Sequence, residues 1–259
     1  MSWALLSKAE HSGKAIVRER SFSFAKKEII TSLCSFELYN AVSYLPIVFA
    51  KEKEKVGVYG LMGLEKDKNL FVSNQGKWEL PNFIPAAFSV YPFRVGVTPE
   101  GQNLILIKDD SDLIVDKDAG QALFEKDGDP TDTLKYYLTL LARIQNSNKI
   151  VEKACSLLWE LNLLEVFSLK IPVVAGKNQE MTGLLRINVR NFNALQDEEF
   201  LKLKEVHALD FIYAHFCSLG CLSRIAGLMK MKGQSDFHLK DLGTKIFNET
   251  EADLDFNLE

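Results

Sequence analysis

The chain has 259 residues, of which 47% are hydrophobic and 25% charged, and it carries a formal net charge of −4. Those proportions are ordinary for a globular protein, and a chain this long buries a full core without disulfide or metal staples. The acidic balance, with a pI near 5.7, argues against a nucleic-acid binder, which usually shows a basic excess or a basic face.

The first residues, MSWALLSKAEHSGK, hold one short apolar run, Trp3 to Leu6, with Lys8, Glu10 and His11 close behind. That run is too short for the hydrophobic region of a secretion signal. No later stretch reaches the roughly 18 uninterrupted apolar residues of a membrane span. The nearest, 206–229, contains Asp210, His215 and Arg224 and reads as a buried helix pair. The chain is therefore expected to be cytoplasmic, without a transmembrane segment. Its four cysteines, Cys34, Cys155, Cys217 and Cys221, are then expected as reduced thiols.

In chain order, 15–20 reads as a strand, 21–31 as an extended arm, and 36–44 as a short helix ended by Pro46. From 46 to 116 the signal is β. The runs PIVFA (46–50), KVGVYGLMG (55–63), NLFVS (69–73), FRVGV (93–97), NLILIK (103–108) and DLIV (112–115) are mostly separated by turn-forming residues. Short strands at this spacing predict an antiparallel sheet or a small barrel. After the polar segment 117–131, Thr131 is a candidate helix cap, and Leu134, Leu138, Leu141, Val151, Ala154 and Leu158 follow at near-helical spacing. One helix of about thirty residues, roughly 45 Å long, is predicted. Two strands at 169–176 and 182–189 come next, then a helix opened by Asp197, Glu198 and Glu199, whose acids suit the positive end of a helix dipole. Two further helices over 205–218 and 220–231, broken at Gly220, precede an acidic tail, 248–259. The tail reads as a solvated end or as a docking segment through Leu254, Phe256 and Leu258. The fold class expected is α+β in a single domain over 1–259, β-rich at about 40–116 and helical at about 131–231.

No phosphate loop, nucleophile elbow or zinc-protease motif is present. The best metal candidate is HALDFIYAHFCSLGC (207–221), yet His215 and Cys217 would project about 200° apart on a helix, a poor start for tetrahedral zinc. No metal, cofactor or catalytic residue is therefore assigned. Asp210, inside an apolar helix, needs a partner; His207, Arg224 or a backbone group would serve, and with His207 or His215 it is the candidate for an enzymatic alternative. The segment WELPNFIPAAFSVYPFR (78–94) stands out for three prolines and five aromatic rings. Proline fixes φ and forbids long regular structure, aromatic rings offer large apolar area with little entropy loss, and Arg94 offers a fork for a carboxylate. Two readings stay open: a ledge that binds an extended peptide, or a corner loop whose rings plug the core and whose arginine pairs internally.

The same segment carries a family resemblance. Gly63 and Leu64, the NLFV run at 69–72, Gly76 and Trp78, the FIPA run at 83–86, and Tyr91, Pro92 and Phe93 match the ordered motifs of the SapC family, named for a gene linked to bacterial surface-layer protein. Pro46 and Ile47, the ALF run at 122–124 with Asp127 and Gly128, and 161–164 match as well, so the chain resembles the family over roughly 40–230. It departs from the pattern at Ser89 and Val90, where members often carry two arginines, so any role of those arginines does not carry over. The resemblance implies an accessory protein in surface-layer biogenesis, related to domains that accompany peptide-modifying oxygenases as peptide-binding partners. The function expected is thus non-catalytic binding of a peptide or surface-layer protein segment, with a peptide-modifying enzyme as a further partner and no nucleic acid. Trp78, Phe83, Phe88, Tyr91 and Phe93 are expected to form the apolar wall, and Arg94 the anchor. The alternative is an enzyme acting on a peptide or small metabolite at Asp210 and the histidines. A DNA-binding regulator using the 205–231 helices is the weakest reading.

Overall fold

The structure, a computed structural model, describes residues 3–172 and 178–232. The tail 248–259 lies outside them. In chain order the strands are β1 (Ala4–Leu5), β2 (Lys14–Ile16), β3 (Ile30–Ser32), β4 (Ile47–Glu52), β5 (Lys55–Leu61), β6 (Phe93–Val97), β7 (Asn103–Ile107), β8 (Ile114–Asp116), β9 (Gln121–Ala122), β10 (Leu164–Pro172) and β11 (Asn178–Ile187). The helices are α1 (Lys8–His11), α2 (Leu38–Ala41), α3 (Ala86–Ser89), α4 (Asp132–Glu160), α5 (Val189–Asn193), α6 (Asp197–Glu205), α7 (Ala208–Ser218) and α8 (Cys221–Met231). The fold is α+β, as read from the sequence, and every strand pairing among the described residues is antiparallel. The described strands do not form one sheet or a barrel; they lie in three sheets, none closed.

Two compact units divide the chain: residues 1–26 with 72–149, and residues 27–71 with 150–259. The first unit holds two three-stranded sheets, ordered β1-β7-β6 and β8-β2-β9. Alternation along β6 sends Phe93 inward and Arg94 outward. Phe93 is buried beside Tyr137 of α4, their ring centroids 4.8 Å apart. Thr131 caps α4 as its sequence position suggested: its hydroxyl accepts from the Leu134 amide at 3.3 Å and donates to the Ala122 carbonyl at 2.7 Å. The 29-residue helix buries Leu134, Tyr137, Leu140 and Leu141 in this unit, and Ala154, Cys155 and Leu158 in the second.

The second unit holds the five-stranded sheet β10-β11-β4-β5-β3 and α5 to α8. α4 stops because Asn162 takes a left-handed conformation (φ 53°) and the Leu163 amide reaches back to the Leu158 carbonyl at 2.9 Å, closing the helix end. β10 therefore starts at Leu164, earlier than the sequence suggested. The NLFVS run at 69–73 forms no strand; the Asn69 side chain accepts from the Phe71 amide at 2.9 Å and folds the backbone into a turn. The break between α7 and α8 falls at Leu219 and Gly220, both right-handed, and bends the pair by 44°. No single helix among the described residues is long and apolar enough to cross a membrane; α7 and α8 together pass that test by length and composition. Their apolar residues Phe211, Ile212, Leu222, Ile225 and Met229 are buried.

One polar clip ties α7 to the start of β4. His215 donates from Nδ1 to the Ile47 carbonyl at 2.7 Å, while Ser218 Oγ accepts from the Ile47 amide at 2.8 Å and donates to the His215 carbonyl at 2.8 Å. Both main-chain groups of a buried residue are thus satisfied by one helix. Burial lowers the His215 pKa from 6.5 to about 4; the Arg186 charge adds to this and the Ile47 bond opposes it. The unfolded chain thus takes up a proton between pH 6.5 and 4 that the folded chain refuses, so stability rises with pH across that window, by up to about 1.4 kcal/mol per pH unit. Urea unfolding should show the folded state losing stability as pH falls from 6.5 to 4. His215→Gln should be less stable at pH 7 yet lose less on acidification. Equal pH slopes for the two proteins would show that His215 is not the group responsible.

Candidate functional site

The loop 73–92 is built from turns rather than from a sheet. Ser73 accepts from the amides of Gln75 and Lys77 through its hydroxyl, at 3.3 and 3.0 Å, and Gly76 occupies a left-handed turn position (φ 80°). A Cβ at Gly76 would sit 2.3 Å from Ser23 Oγ, so glycine is required both by the backbone and by the close approach of the 21–23 segment. The Phe22 amide donates to the Gly76 carbonyl at 2.7 Å. Pro85, extended, then starts the single turn of α3, and the peptide bond between Tyr91 and Pro92 is cis.

Arg20 holds this loop. Its guanidinium donates to the Ser89 carbonyl at 2.8 Å and also to the carbonyls of Phe88 and Tyr91. These are the orphan acceptors at the C-terminal end of α3, where a cation is favoured by the backbone dipoles. The same guanidinium lies over the Phe22 ring, 5.4 Å from its centroid. Arg20 Nε is buried without a hydrogen-bond partner, and among the described residues no carboxylate pairs with Arg20. Burial lowers its pKa, against smaller upward effects of Tyr137, Tyr136 and Tyr91.

Around Arg20 the rings from two distant segments interlock. Phe24 stacks on Tyr91 with centroids 3.9 Å apart and planes 16° apart, and meets Phe88 edge-on at 5.7 Å. Trp78 packs on Phe22 at 5.4 Å and edge-on against Phe88 at 5.7 Å, while its indole N–H donates to the Phe83 carbonyl at 2.8 Å. Trp3 meets Tyr91 edge-on at 6.4 Å. Arg94 lies over Trp3, its guanidinium carbon 4.2 Å from the ring centroid. Register explains that contact: Leu106 of β7 pairs with Leu5 on one side and Arg94 on the other, so Trp3, two residues before Leu5, shares the Arg94 face.

The six residues singled out in the sequence therefore separate by burial. Phe83, Phe88 and Phe93 are core residues, 4%, 5% and 2% exposed. Trp78 and Tyr91 are half-buried and Arg94 is exposed. Solvent thus reaches Trp78, Tyr91 and Arg94, together with the half-buried Trp3 and Phe24. Sequence reasoning missed Trp3, Phe24 and Arg20 because all three lie far upstream of the loop in sequence. The FSF triplet at 22–24 was an available signal.

The residues of the enzymatic alternative are also placed. Asp210 pairs with His207 Nδ1 at 3.5 Å and accepts from the Tyr39 hydroxyl at 3.0 Å, which raises the Tyr39 pKa; His207 and Asp210 are both well exposed. His215 does not join them: it is buried against Ile47. Arg224 donates to the Ser43 carbonyl instead of to Asp210. Burial pushes the Cys155 thiol up to about 12, away from the thiolate a nucleophile needs. Among the described residues no three His, Cys, Asp or Glu side chains gather to hold a metal ion.

The SapC family model matches residues 6–225, and the chain belongs to the SapC family. The matched span takes in Arg20, Phe24 and the whole loop 78–94, with Trp3 just before it. Comparison with curated proteins gives no match, and comparison with solved structures gives none.

Arg20→Met removes the donor to three carbonyls and should cost roughly 2–4 kcal/mol of stability. Arg94→Ala, at an exposed position, should cost less than about 1 kcal/mol. Thermal unfolding of the two variants checks the contrast; equal losses would mean that Arg20 does not hold the loop.

Proposed function

We propose that this SapC-family protein is a non-catalytic accessory protein that binds a peptide or a segment of a surface-layer protein and supports its biogenesis or modification. The observation that carries the reading is the half-exposed row of Trp3, Phe24, Tyr91 and Trp78 flanked by the exposed Arg94. Rings held this way present apolar area that is already ordered, so binding an extended chain costs little further side-chain entropy. The guanidinium beside them suits a carboxylate. A peptide-modifying enzyme acting on the same segment would be a second partner, and the cytoplasm, where surface proteins are made, the site of action.

The test is affinity capture of the tagged protein from a lysate of its own organism, followed by mass spectrometry, with Arg94→Ala and Tyr91→Ala in parallel. Retention of a surface-layer protein or a peptide-modifying enzyme, reduced about tenfold or more in both variants, is the expected result. Identical retention by all three proteins would separate binding from the ledge. An enzyme acting at Asp210 and His207 would instead show turnover that Asp210→Asn abolishes.

A further inference from the structure

Two guanidinium groups flank Tyr91 in the first unit. Arg20 donates to the Tyr91 carbonyl from beneath, and Arg94 covers Trp3, which packs edge-on against the Tyr91 ring. Neither arginine pairs with a carboxylate among the described residues. Elsewhere charged groups do find partners, as Arg186 does with Glu165 at 2.6 Å and Lys55 with Glu152 at 2.5 Å. The carbonyls that accept from Arg20 carry no net charge, so none of them neutralises its guanidinium. In a chain with a net charge of −4, Arg94 is thus an exposed cation beside the rings that pairs with no carboxylate among the described residues.

On this basis, and resting on the peptide-binding reading above, we propose that the ledge recognises an acidic segment: an Asp or Glu carboxylate, or a chain terminus, taken by Arg94, with a neighbouring apolar or aromatic side chain laid on Trp3 and Tyr91. Arg94 is the contact residue. Arg20 is a positioning residue that fixes the loop through the carbonyls of Phe88, Ser89 and Tyr91. Single-stranded nucleic acid also combines stacking with cations, but it tracks a basic groove, and two arginines on an acidic protein do not make one.

The experiment uses the full chain and immobilised synthetic dodecapeptides in matched sets: acidic with one aromatic residue, the same peptides with Asp and Glu changed to Asn and Gln, acidic without the aromatic residue, and a thymidine oligonucleotide as competitor. The acidic–aromatic set should bind at least about tenfold more tightly than its amide counterpart, and binding should weaken as salt rises from about 0.05 to 0.3 M. Arg94→Glu should abolish that preference and turn it toward lysine-bearing peptides, while Arg94→Lys should keep part of it. Thermal unfolding confirms that each variant is folded. Equal binding of the acidic and amide sets overturns the inference and leaves the peptide-binding reading standing. Binding of acidic peptides regardless of the aromatic residue, or displacement by the oligonucleotide, also overturns it, as unspecific attraction to positive charge. Binding of no peptide set overturns both.

Discussion

A half-buried guanidinium that donates to three carbonyl groups within four residues holds the aromatic loop of this molecule. Proline and glycine shape the loop 73–92, and the Gly76 carbonyl ties its start to the Phe22 amide. Arg20 ties down the rest: its bonds to Phe88, Ser89 and Tyr91 gather the end of α3 and the turn before β6 around one charged group. Phe22 and Phe24 follow Arg20 by two and four residues, so the segment that supplies the clamp also supplies the rings that stack on the loop. A net hydrogen bond to a charged group contributes about 1.5–3 kcal/mol, and a buried carbonyl left without a donor costs a similar amount. The position of Tyr91, and with it the ledge, depends on this clamp more than on any single ring contact.

The division between buried and half-buried rings follows from the same geometry. Phe88 faces Phe24 and Trp78 and is enclosed; Phe93 alternates with Arg94 on β6 and so faces the core. The rings that remain accessible, Trp3, Phe24, Trp78 and Tyr91, are each fixed by at least one other ring. A surface of this kind is ordered before a ligand arrives. On the proposed reading, affinity would depend on desolvating the rings and on the charge of the exposed Arg94.

Much of this was legible in the sequence, for reasons that differ by element. β-rich runs at 93–97 and 103–108 and turn residues between them predicted β6 and β7 closely, because local pattern decides strands that are bounded by turns. Thr131 and the apolar spacing after it predicted α4 as one helix of about thirty residues, and it has 29. Where the reading failed, a side chain had replaced the pattern: Asn69 bonds its own backbone and turns a β-rich run into a loop, and Asn162 adopts a left-handed conformation that ends α4 and starts β10 early. The partition of strands among three sheets was not legible, since strand pattern does not specify partners across a hundred residues. Trp78, Tyr91 and Arg94 were found as surface candidates because they are chemically conspicuous within one segment. Trp3, Phe24 and Arg20 were not, because only the folded chain brings them there.

The three tryptophans allow a direct test of the central claim that the ledge is the binding surface. Trp3 and Trp78 belong to it, whereas Trp159 lies on α4 beneath the Lys51 ammonium, 4.9 Å from its ring centroid. The measurement is an NMR titration of the indole N–H resonances with a synthetic acidic dodecapeptide carrying one aromatic residue, each resonance assigned by a tryptophan-to-phenylalanine variant. The account predicts saturable shifts of the Trp3 and Trp78 signals with Trp159 unmoved. A peptide that binds while both ledge signals stay fixed would contradict it.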